Sequence, residues 1–142
     1  MTIREQIIET VNKLFIYTDY QEWDKLQNEV FTEKVHMDIR SLGGEEKEMT
    51  AKEICDMWQS GLEGLDAVNH LGGNYLVTTK NDLIAEVFAY ATATHYKATA
   101  TNGKTRTFVG SYELKVSNTD KGWRIYGFTY NLKYMEGNMD LS

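Results

Sequence analysis

The stretch Leu83–Thr99, LIAEVFAYATATHYKAT, decides the fold. It is rich in Val, Ile, Thr and aromatic residues and holds neither Gly nor Pro, which is the composition of a strand. One face reads Leu83, Ala85, Val87, Ala89, Ala91, Ala93 and His95, the other Ile84, Glu86, Phe88, Tyr90, Thr92, Thr94 and Tyr96. Such a strand is two to three times the usual ~5–6 residues, and strands of that length must twist and curl. A curled sheet with helices across its concave side encloses a space in which a ligand pocket can form. The alanines leave room above the sheet, to be filled by a closely packed helix or by a ligand.

Working outward, the spacing predicts further strands at Tyr75–Thr79, Thr107–Val116 and Trp123–Tyr134. Lys80-Asn81-Asp82, Asn102-Gly103 and Asn118–Gly122 supply turns, so neighbouring strands run antiparallel. Upstream the period changes. Thr2-x-x-Glu5 is a capping box followed by Ile3, Ile7, Val11 and Leu14 at helical spacing, with Ile8 and Phe15 widening the stripe. A shorter helical piece is expected over Trp23–Glu29, a short strand over Val35–Arg40, and polar loop over Ser41–Glu48. Thr50-x-x-Glu53 caps another helix carrying Ile54, Met57, Trp58 and Leu62. The expectation is one α+β domain over residues 1–142, helical to about 64 and a meander over about 68–134. Its strongly curved antiparallel sheet packs on about three N-terminal helices.

The net charge of -6 argues against a nucleic-acid partner, which requires clustered Lys and Arg. Cys55, the single cysteine, permits no intramolecular disulfide and reads as a buried thiol beside Ile54 and Met57. No apolar run approaches the ~20 residues of a membrane span, and MTIREQIIET lacks a signal core; a cytoplasmic protein is expected.

Asp19 lies on the apolar stripe of the first helix, after Ile8, Val11 and Phe15, where another core residue belongs. A carboxylate there needs a partner or must lie at a solvated helix end. His70, in Asn69–Asn74, and His95 are the candidate partners, and an Asp that holds one imidazole nitrogen leaves the other as a general base. Sequence spacing leaves open whether Asp19 meets His70, His95 or water. His36 reads as exposed.

Tyr17-x-Asp19 with Trp23-Asp24, Phe31-Thr32-Glu33-x-Val35-x-Met37-Asp38, His70-x-x-x-Asn74, Ala93-x-His95, Gly110-x-Tyr112 and Gly122–Ile125 together carry a resemblance. In order and spacing the chain resembles the SnoaL-like family of the nuclear transport factor two-like superfamily, from about Ile3 to Lys133. That resemblance implies a cone-shaped curved sheet with a pocket in its wide end. It also implies kinship with scytalone dehydratase and hexachlorocyclohexane dehydrochlorinase, in which a histidine takes a proton from carbon and an aspartate supports it. Asp19 and His70 match those catalytic positions, and His95 a second pocket histidine. The chain departs from the pattern at Thr18 and Ile39, where the dehydratase carries tyrosines, and at Leu14, near the dehydrochlorinase's lysine.

The reading is a cofactor-independent and metal-free lyase or isomerase acting on a small, apolar, cyclic molecule. His95 and Asn74 would bind substrate polar groups, with Tyr17, Trp58 and Tyr112 as walls. The alternative is a non-catalytic ligand-binding or dimeric interaction module of the same fold. Along the last strand, Ile125 and Gly127 read as one face, Tyr126, Phe128, Tyr130 and Tyr134 as the other. The second, aromatic face would be covered in a homodimer through the outside of the sheet, as the resemblance also implies.

Overall fold

Both capping boxes form. The Thr2 hydroxyl accepts from the Glu5 backbone N–H while the Glu5 carboxylate accepts from that of Thr2, and Thr50 and Glu53 do the same. They start α1 (Ile3–Asp19) and α3 (Ala51–Leu62) of the structure, a computed structural model that describes residues 1–142. Between them come a single turn, α2 (Trp23–Lys25), which widens into a π-helical turn over Leu26–Val30, and β1 (Phe31–Asp38). Four long strands complete the chain: β3 (Ala67–Thr79), β4 (Ile84–Tyr96), β5 (Thr105–Thr119) and β6 (Gly122–Gly137). No helix is long and apolar enough to cross a membrane.

The segment expected to be polar loop contains more structure than that. Arg40–Leu42 is a 3-10 turn and Glu46–Thr50 is β2, a hairpin partner of β1 that pairs His36 with Glu48 and Met37 with Lys47. β2 carries five residues of mostly charged sequence, and only Met49 is buried, so apolar alternation is nearly absent. The sheet order is β2-β1-β6-β5-β4-β3. It is mixed, not purely antiparallel: β1 pairs in parallel with β6, because α3 and the whole meander intervene between them in sequence. The curved sheet is unclosed, with the helices on its concave side, and gives the cone shape of an α+β fold.

Register explains which side chains point inward. Val68 faces His95 and His70 faces Ala93 across β3 and β4; Ala93 faces Phe108 and His95 faces Arg106 across β4 and β5. Paired residues share a sheet face, so all of these line the concave side. Bulges reset the alternation. On β6, Gly127 pairs with Lys115 and Ile125 with Val116, which leaves Tyr126 as the extra residue. Trp123 and Ile125 therefore point inward before the bulge, Phe128 and Tyr130 after it, and all four are buried. This corrects the aromatic stripe read from sequence: Phe128 and Tyr130 belong to the interior, and Tyr134 remains outside. A strict two-residue period cannot anticipate a bulge.

The core joins Ile7, Val11, Leu14 and Phe15 of α1 to Val35 and Met37 of β1, Ile54 of α3, and Leu114, Val116 and Ile125 of the sheet. On the alanine face of β4, Ala85, Val87 and Ala91 belong to this core. Further along, Ala93 and His95 border open space. The two uses foreseen for that face are divided along one strand.

Candidate functional site

Asp19 is the last residue of α1, and the last turn carries no basic residue. A carboxylate at a helix C-terminus faces the negative end of the dipole and needs donors from elsewhere. His70 provides them. Its backbone N–H lies 3.1 Å from Oδ1 and 2.9 Å from Oδ2 of Asp19, and its ring Nδ1 is 2.6 Å from Oδ1. The two side chains are only 13% and 10% exposed, respectively. An ionised carboxylate accepts and cannot donate, so Nδ1 carries a proton, and in the neutral ring Nε2 keeps a lone pair. The Phe15 ring stacks on the imidazole at 5.6 Å with a 12° interplanar angle. Gly72 makes this approach possible, since a Cβ there would come within 2.5 Å of Phe15 Cε2.

His70 borders a cavity of about 340 Å³, within the ~300–1,000 Å³ range of small-molecule sites. Leu14 and Thr18 of α1, Ile39 and Leu42 of the turn after β1, and Trp58 of α3 form one wall. Ala93, His95, Phe108, Tyr112, Phe128 and Tyr130 of the sheet form the other. The Thr18 hydroxyl donates to the Leu14 carbonyl at 2.6 Å, so α1 presents little polarity to the space. Burial pushes the Tyr112 and Tyr130 phenols upward, which keeps both protonated as donors. No three His, Cys, Asp or Glu side chains converge as a metal-ligand set.

His95 accepts a hydrogen bond at Nδ1 from Arg106 Nε at 2.9 Å, and Arg106 Nη1 donates to the Met139 carbonyl. Burial first, and the Arg106 charge second, bring its pKa down to about 4. The structure thus brings Asp19 and His70 together and places His70, His95, Trp58 and Tyr112 around one space.

Two expected site residues lie elsewhere. Asn74 is exposed, at the β3 bulge with φ of 57°, and Tyr17 turns its hydroxyl to Glu29 at 3.2 Å. Neither lines the cavity. Position 18, one residue round the helix from Tyr17, is the one that does. The sequence does not single out Arg106 or Phe108, and it places Phe128 and Tyr130 on the outer face instead of at the site. The register set by the longer connection after Tyr96 brings the first two to the site, and the β6 bulge brings the others.

A curved sheet, three helices and an apolar cavity bordered by an Asp-supported histidine define a class of cone-shaped pocket folds. The family profile described as the SnoaL-like domain matches residues 1–129, and the chain belongs to that family. Among solved structures, the Kfla4162 protein of Kribbella flavida superposes with a TM-score of 0.90 at 23% identity, covering 97% of this chain and 95% of its own. A candidate scytalone dehydratase from Novosphingobium aromaticivorans gives 0.79 at 13% identity, over 96% and 88% of the two chains. A hexachlorocyclohexane dehydrochlorinase from Novosphingobium barchaimii gives 0.78 at 10%, over 95% and 89%. At these identities the likeness is one of fold. No curated protein matches the sequence.

Proposed function

We propose that the protein is a cofactor-independent lyase or isomerase that removes a proton from carbon in a small, apolar, cyclic molecule. One observation carries the reading: the His70 imidazole is fixed through Nδ1 on Asp19, beside an apolar cavity. With Nδ1–H held by the carboxylate, Nε2 is the basic atom, and its tautomer needs no reorganisation before it accepts a proton. The developing imidazolium is stabilised by the same carboxylate. The cavity walls would hold a ring of carbon atoms and keep water from competing for the carbanion. Fold neighbours that include a dehydrochlorinase support this class of chemistry by analogy. Incubation with a panel of cyclic β-hydroxy ketones in deuterated water, read by mass spectrometry, tests it. Deuterium uptake or water loss is expected with the wild-type protein and not with His70→Ala. Equal exchange by both proteins would remove His70 from the role of base.

A non-catalytic binding module is the second reading, favoured by the apolar α1 wall that Leu14 and Thr18 form. It predicts ligand affinity unchanged by Asp19→Asn. We also propose a homodimer through the convex face of the sheet. There Leu71, Leu76, Tyr90 and Tyr134 stand between 37% and 73% exposed.

A further inference from the structure

His95 and Arg106 face each other in register on the concave side of β4 and β5. The bond between them has one possible direction. A guanidinium Nε always bears hydrogen and has nothing to accept with, so His95 Nδ1 must be the unprotonated nitrogen. The imidazole is therefore neutral, with its proton on Nε2. Arg106 is itself held, because Nη1 donates to the Met139 carbonyl at 2.9 Å. The His95 ring leans on Phe108 at 5.4 Å, so it too has little freedom. The result is a fixed N–H donor bordering the same cavity as the His70 lone pair.

We propose that Arg106 holds His95 as a neutral Nε2–H donor for the oxyanion formed when His70 removes a proton, which makes the substrate a carbonyl compound with an acidic C–H beside the carbonyl. The role of His95 as oxyanion donor rests on the proton-abstraction reading above; the tautomer lock does not. In the step, His70 Nε2 takes the proton and the C–H electron pair becomes a carbon–carbon double bond. The carbonyl π pair moves onto oxygen, which accepts a hydrogen bond from His95 Nε2–H without taking its proton. The enolate then reforms the carbonyl, either expelling a β-hydroxyl as water with the proton from His70, or, where a β,γ double bond makes it a dienolate, taking that proton back at the γ-carbon. A preorganised donor aimed at developing charge strengthens as the charge forms. A haloalkane without a carbonyl would leave the same N–H against carbon, so the polar pair in this cavity selects ketone or ester chemistry.

Arg106 is a positioning residue, and its test reads the imidazole itself. In the full chain labelled with 15N-histidine, long-range 1H–15N correlation spectra at pH 7 should show His95 protonated at Nε2 alone. That state should persist down to about pH 4, with burial, Arg106 and His70 opposing protonation and Asp19 favouring it. In Arg106→Met the signals should shift towards a tautomer mixture and titrate nearer the ordinary histidine range. A wild-type His95 protonated at Nδ1, or cationic at pH 7, overturns the proposal. So does an unchanged tautomer and titration in Arg106→Met.

A second measurement uses 4-nitrophenol as an oxyanion probe, followed by absorbance. His95→Gln, which retains an N–H near the Nε2 position, should bind the phenolate within several-fold of wild type. His95→Leu should bind it about 10- to 100-fold more weakly, the loss of one hydrogen bond to a charged group. No binding by the wild type, or equal binding by His95→Leu, overturns the oxyanion role. Neither measurement requires turnover. Absence of deuterium exchange, with both results as expected, would refute the base assignment to His70 and leave the tautomer lock standing.

Discussion

Asp19 breaks the apolar stripe of α1 because three donor contacts from one residue, His70, meet it at the helix end. Asp19→Asn keeps the shape but loses a charged acceptor, and the imidazole is no longer held in one tautomer. We expect the rate of deuterium exchange to fall about 10²- to 10⁴-fold, the usual worth of general-base catalysis. The melting temperature should also fall, reflecting about 1.5–3 kcal/mol for a hydrogen bond to a charged group. A variant with wild-type exchange would contradict the pairing's role. Cys55 is the contrasting case of a buried residue with no reactive partner. Burial pushes its thiol up to about 11 from an ordinary 9.0. Between those values the folded state binds more protons than the unfolded, so Cys55 costs stability progressively as pH rises from about 9 to 11. At pH 8 a thiol reagent should label Cys55 only after denaturation. Rapid labelling of the native protein would contradict its burial. At this scale the sequence was informative about Asp19, whose burial needed explanation, while spacing left its partner open between His70, His95 and water and only the family resemblance pointed to His70. The Asp19–His70 contact spans 51 positions, and no local pattern encodes it.

Turns and bulges set the limits of legibility among the elements. The capping boxes at Thr2 and Thr50 were readable because a cap is chemistry within four residues. The β4–β5 hairpin was not. A two-residue turn at Asn102-Gly103 would place His95 opposite Gly110, whereas the longer connection after Tyr96 places it opposite Arg106. The Tyr126 bulge likewise moved Phe128 and Tyr130 from the expected outer stripe to the cavity wall. Glycines mark two of the closest approaches. At Gly72 an added Cβ would strike the Phe15 ring that covers His70, and at Gly110 it would lie 2.5 Å from the Tyr130 hydroxyl. Gly72→Ala should destabilise by about 1–3 kcal/mol through overpacking, measured by urea unfolding, and should displace the His70 ring resonances in NMR spectra. Wild-type stability with unmoved resonances would show that the Phe15–His70 stack is not a tight contact.

For the whole molecule, curvature creates the cavity. The long strands of the meander bend around α1 and α3, and the core fills one part of the concave side while the cavity occupies the rest. Strand length and alanine content made this arrangement legible before any register was known. The parallel β1–β6 join was beyond reach, since hydropathy reports which face is buried but not which strand lies alongside. The convex face makes its own prediction. If Tyr90, Tyr134 and Leu76 are covered by a second copy, light scattering at micromolar concentration should give twice the 16.3 kDa chain mass. A monomer mass would end the dimer proposal. In the proposed function the Asp19–His70 pair takes a proton from carbon. The most direct test of that step is the rate of carbon-bound deuterium uptake in cyclic β-hydroxy ketones, measured side by side for wild type and a folded His70→Gln. Uptake by the wild type and a loss of at least about 10²-fold in the variant are expected. Equal rates in the two proteins, or none in the wild type across the panel, would contradict the proposal.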